Sequence, residues 1–319
     1  MREVYLGSEE DRHYIKTYLA NIRQLDPIEI ATLPNPITLA NPRLGEVIDV
    51  DRFWGIVNQS LDECKRRYCI RLDSLKPERY YTSQPTESND IGGFYSPHSL
   101  GYQYWYHAAF VVTLSMQAAS QELRTLEFAR NFLHDCFHFS TFVSFRRVIR
   151  TPAKSPAAAK HCVPEVYREQ YGINFRNEEG LSYSSPTLTA YAPETINLNL
   201  LMDGAIVLTV AELMREASGN VGRNATTLEE EIRKEIFLEP LDVAILPKAH
   251  GFHTAVTDPS RLFLGRWGGK DLVTLVLQAM MNGNLQSLKN FFEKKVGSPN
   301  SWEKKFRRPG FSIAANPRF

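Results

Sequence analysis

The chain has 319 residues, 43 % hydrophobic and 23 % charged, with 37 basic against 36 acidic side chains. That length allows one large domain or two ordinary ones with a sizeable core, and so even a balance gives no bulk charge with which to hold nucleic acid or an acidic membrane. No apolar run reaches the roughly 18 residues of a membrane span. The segment from Met1 to Asp11 is polar and acidic, unlike a secretory signal. Cys64, Cys69, Cys136 and Cys162 show neither zinc-ribbon nor redox spacing, so free thiols are expected. The expected location is the cytoplasm, or an exported state reached without a classical signal peptide.

In chain order, an amphipathic helix is expected over Asp11 to Leu25, then a stretch punctuated by Pro34, Pro36 and Pro42. Phe53, Ile56, Val57 and Leu61 recur at helical spacing and predict a helix from Val50 to Arg67. Residues 91–97 read as a turn feeding a short strand, and a helix is expected from Tyr106 to Gln121. The apolar run that follows predicts a helix from Leu123 to Ile149, with no Gly or Pro before Pro152. Tyr171 to Arg176 and Leu181 to Ser184 predict a hairpin turning at Asn177 to Gly180. Leu198 to Ala217 predicts an apolar helix ended by Gly219, and a charged helix is expected from Leu228. Further helices are expected over Lys270 to Met281 and Leu285 to Lys295. The last twenty residues read as a basic, poorly packed tail. The fold class is α+β, mostly helical in its second half. The divisions are a mixed N-terminal region (1–90), a metal-site region (91–220), a helical region (221–300) and a tail (301–319).

His134-Asp135-Cys136-Phe137-His138 is the segment that carries chemistry. Residues four apart share one face of a helix, so two imidazoles stand where they can hold one metal ion. A hydrolytic zinc takes three protein ligands and one water, which the metal makes acidic. Asp135 is placed to take that water's proton. For the third ligand the first choice is Asp203, a lone carboxylate in a strongly apolar helix, costly unless paired or bound to a cation. Glu212 is the second choice and Glu179 the third. Tyr183 or Tyr191 could stabilise an oxyanion. The alternative is a hydrogen-bonded structural cluster, because a buried His or Asp needs partners in any case.

The segment resembles the His-Glu-x-x-His helix of the gluzincin metallopeptidases, and Met202-Asp203-Gly204-Ala205 resembles their later carboxylate helix. Gly93-Phe94-Tyr95 is similar to the edge strand that pairs with peptide in such enzymes. The resemblance spans roughly residues 90 to 217, with Asp at both acidic positions. It implies a zincin-like fold and a Zn2+ ion on His134, His138 and Asp203. It also implies Asp135 as general base and a peptide or protein substrate, with a catalytically inactive zincin-like binding protein as one alternative. His107, His134-Asp135 and Asp203 also resemble, in order, the set of HD-domain phosphohydrolases, which implies metal-dependent phosphoester hydrolysis. That family is all-helical, whereas residues 68–106 and 171–186 here read as extended. A local likeness to the first histidine box of membrane desaturases lacks both the membrane spans and the later boxes. Nothing near His161 completes a metal set, the pair His250 and His253 reads as solvent-exposed in a loop, and the basic run from Lys304 to Arg308 reads as a solvated tail.

Overall fold

A computed structural model describes residues 3–24, 37–83, 109–111, 120–148, 165–175, 198–218 and 252–306. The helices are α1 (Glu9–Gln24), α2 (Val50–Tyr68), α3 (Gln121–Ser140), α4 (Leu198–Ser218), α5 (Phe252–Trp267), α6 (Gly269–Asn282), α7 (Gln286–Val296) and α8 (Ser301–Phe306). The strands are β1 (Glu3–Tyr5), β2 (Ile37–Thr38), β3 (Tyr81–Ser83), β4 (Ala109–Val111), β5 (Val143–Val148), β6 (Glu165–Tyr171) and β7 (Asn174–Phe175). The chain is therefore α+β and mostly helical. No helix among the described residues is long and apolar enough to cross a membrane.

α4 is the axis of the core. Leu198, Leu201, Met202, Ala205, Ile206 and Met214 are all buried, so the helix is apolar around most of its circumference, as an enclosed helix must be. It packs against α2, α3, α5 and α6. One continuous apolar cluster joins side chains of α2, α3, α4, α5, α6, α7 and α8. Local signals set the ends of α2: Asp49 caps it by accepting from the Arg52 N–H at 3.0 Å, and Lys65, Arg66 and Arg67 lie in its last turn, where cations favour the negative helix end.

The four-stranded sheet has the order β1-β5-β6-β7, with β1 parallel to β5 and the other pairs antiparallel. α1 covers it through Ile15 and Leu19, which meet Val143, Phe145 and Val166. A second sheet has the order β2-β3-β4.

Several expectations are corrected. α3 ends at Ser140 rather than Ile149, and the same apolar run continues as β5. The Thr141 hydroxyl donates to the Phe137 carbonyl, and the Phe142 N–H turns away to Met280. An apolar run of this kind fits a helix or a buried strand equally until something breaks it. The hairpin turns at Gly172-Ile173, because Tyr171 pairs with Asn174. Residues 109–111, expected to be helical, form β4. The expected tail begins as helix α8, with Trp302 and Phe306 buried against Phe263 and Phe292. His253, expected in a loop, lies within α5. His107, Tyr183, Tyr191, Glu179, His250, Gly93-Phe94-Tyr95 and the charged helix from Leu228 lie outside the described residues.

Candidate metal centre

The reversal from α3 into β5 positions the site. β5 and β6 pair with Val143 opposite Tyr171, which returns the chain to the C-terminal end of α3. There the Tyr171 hydroxyl lies 2.8 Å from His138 Nδ1 and 3.3 Å from the His138 carbonyl oxygen. A carbonyl only accepts, so both contacts are satisfied when the hydroxyl donates to it and accepts from Nδ1–H. That fixes the tautomer of His138 and leaves a lone pair on its Nε2. Arg168, itself buried, stacks its guanidinium 4.6 Å from the centre of the Tyr171 ring and so holds the ring in place.

His138 Nε2 faces two groups: His134 Nε2 at 2.9 Å and Asp203 Oδ1 of α4 at 3.3 Å. Burial, with the Arg168 charge nearby, lowers the His138 pKa to about 4. His138 is therefore neutral at pH 7, and its contact with Asp203 is not an ion pair there. Burial raises the Asp203 pKa to about 7; its side chain keeps 27 % of its exposure, which tempers that rise. The lone pair on His138 can take a proton from the His134 ring. The Asp203 oxygen then faces electron density, unless a carboxyl proton or a cation lies between.

The donor set fits zinc in kind: two imidazoles and one carboxylate. It is not yet a formed centre. Among the described residues, no group of three or more His, Cys, Asp or Glu is arranged to hold a metal ion. The two contacts meet at one nitrogen, as in a hydrogen-bonded cluster. Ligand atoms on a tetrahedral zinc stand roughly 3.3 Å apart, given bonds of about 2.0–2.1 Å. The His138–Asp203 separation already matches that value, at 3.3 Å. The imidazole nitrogens, at 2.9 Å, would have to part by a few tenths of an ångström.

Asp135 faces elsewhere. Its Oδ2 accepts the Tyr80 hydroxyl at 2.9 Å, and Tyr80 is wedged edge-on against Phe128 and Phe132. Burial raises the Asp135 pKa to about 7, against the lowering effect of the Tyr80 hydrogen bond. Glu212 is drawn into a different network. It lies 3.4 Å from Arg67 and 3.0 Å from Lys270, and accepts from the Tyr68 hydroxyl at 3.1 Å. Of the candidate third ligands, then, Asp203 is beside the histidines, Glu212 braces α4 against α2 and α6, and Glu179 lies outside the described residues.

Sequence reasoning passes over Tyr171. Its one visible signal is its place at the end of a strand-like run beside a glycine, which by itself points to no histidine. No protein-family model, curated protein or solved structure matches the chain, so the reading rests on these side chains alone.

Proposed function

We propose that the chain is a zinc-dependent hydrolase acting on peptide bonds, with His134, His138 and Asp203 as the ligand set. The observation that carries the reading is the meeting of His138 Nε2 with His134 Nε2 and Asp203 Oδ1, residues from two helices. His138 enters as a neutral imidazole with its lone pair presented, held by Tyr171. Asp203 gains most from a cation, because burial otherwise favours its protonated form. A bound zinc would supply a water with a pKa of roughly 7 and polarise the substrate carbonyl. Asp135 is assigned the proton transfer, on its place directly after His134 and on a pKa near the operating pH. That role requires its carboxyl to leave the Tyr80 hydroxyl.

A second reading is favoured by that same Tyr80 bond: a zinc-binding descendant that no longer hydrolyses, in which Asp135 is a structural carboxyl. The phosphohydrolase reading requires His107 and has no comparable support. The test is elemental analysis of purified protein beside His138→Ala, followed by incubation of the zinc-loaded protein with a peptide mixture. Zinc at one per chain, lost in the variant, together with new peptide termini, is the expected result. Zinc without cleavage selects the second reading, and no zinc even when it is added removes both.

A further inference from the structure

The histidine face of α3 continues toward the helix N-terminus through residues that the hydrolase reading does not use. Glu127, Arg130, Asn131, His134 and His138 fall on one stripe at spacings of three and four. Asn131 and His134 are half-buried, so the stripe opens to solvent between its two buried ends. Arg130 is only 6 % exposed, and its Nε and Nη1 have no hydrogen-bond partner among the described residues. Glu127 Oε1, an ionic neighbour among the described residues, lies 3.8 Å from Nη2, beyond hydrogen-bond range. A buried guanidinium in that state is costly, because its donors have left water without finding acceptors. Glu127 steadies one edge of the fork, while the donors at Nε and Nη1 remain unused.

We infer that Arg130 recognises a carboxylate on the substrate, on the face of α3 that it shares with His134 and His138. A guanidinium is flat and always charged, and matches a carboxylate at two points. Arg130 precedes His134 by four residues, about 6 Å of helix rise. An extended peptide advances about 3.5 Å per residue. The recognised carboxylate therefore lies one or two residues from the scissile bond. It is either the terminal carboxylate of a peptide trimmed from its C-terminus or the side chain of an Asp or Glu near the cut.

The choice of a peptide as ligand rests on the hydrolase reading, so the test uses binding rather than turnover. The full chain, zinc-loaded and zinc-free, is titrated calorimetrically with N-acetyl-Ala-Ala-Phe, its carboxamide, and N-acetyl-Ala-Glu-Phe amide. The expected result is binding of one anionic probe at least about tenfold tighter than the carboxamide, the scale of a charge-assisted hydrogen bond. Arg130→Met removes the difference. Preference for the free acid identifies the terminal carboxylate, and preference for the glutamyl amide identifies an acidic side chain. Should Arg130→Met fail to fold, Arg130→Lys takes its place, and the preference drops because an ammonium cannot make the two-point contact. Equal affinity for all three probes, or a preference that survives in the variant, overturns the inference. An Arg130-dependent preference in a protein that binds no zinc sinks the metal reading and leaves this one standing. Zinc binding without anion preference does the reverse.

Discussion

Among the single side chains, Tyr171 decides which nitrogen of His138 is available, and it does so from another element. Replacing it by Phe removes the oxygen that accepts from Nδ1–H at 2.8 Å. Such outer partners of metal-binding histidines are typically worth 10–100-fold in affinity, and Tyr171→Phe is expected to weaken zinc binding by about that factor. Competition against a chromogenic chelator measures it; unchanged affinity would mean that Tyr171 only packs. Asp135 allows a second prediction, made for zinc-free protein. Its folded pKa, about 7, lies above the ordinary 3.8. Below the ordinary value both folded and unfolded states hold the proton, and stability is complete. As pH rises through the window between the two values, only the unfolded state releases the proton, so stability falls, by at most about 1.4 kcal/mol per pH unit. Above about pH 7 the loss is complete. Asp135→Asn still accepts the Tyr80 hydroxyl but cannot ionise. Urea unfolding of the variant is expected to lack this part of the slope and to show higher stability than wild type at neutral pH. Under the general-base assignment the same variant loses hydrolysis by about 10²–10⁴-fold while keeping zinc.

The secondary-structure elements show what a sequence can and cannot disclose. α4 is legible because its apolar residues exceed any strand's length and end at a Ser-Gly pair, and Asp203 stands out there as the carboxylate needing a reason. The end of α3 is not legible. Phe139 to Val148 has no Gly or Pro, and the break comes from Thr141 and from Phe142 bonding to Met280, far along the chain. The site depends on that break, since a helix continuing past Ser140 would leave no β5 to bring β6 and Tyr171 back to His138. Gly172 sits at the tip of this device. Its φ is +56°, and an added Cβ would lie 2.7 Å from Met202 Sδ and 3.1 Å from Thr141 Cγ2. Gly172→Ala combines left-handed backbone strain with overpacking against α4, at an expected cost of about 2–4 kcal/mol. Urea denaturation measures this, and because Tyr171 is the neighbouring residue, zinc affinity is expected to fall with it. A loss of stability with zinc affinity intact would separate the turn from the site.

Over the whole molecule, the candidate ligands come from α3 and α4, two helices that pack directly against each other within one core. An ion held between them would bind the folded chain and not the unfolded one, so its binding energy would appear as folding stability. At a free zinc concentration a hundredfold above the dissociation constant, the gain is about 2.7 kcal/mol. For a domain of 150–250 residues a gain of 1 kcal/mol raises the melting temperature by about 2–4 °C. For a chain of this size the zinc-dependent rise is therefore expected to be several degrees. His134 is the better residue with which to test this. It is half-buried where His138 is enclosed, so His134→Ala removes a ligand while leaving little cavity behind. The zinc-free melting temperature of His134→Ala is expected to stay near that of the wild type, with the zinc-dependent rise abolished. Calorimetric melts of both proteins, with chelator and with excess zinc, measure this. A rise that persists in the variant would place the zinc somewhere other than between α3 and α4.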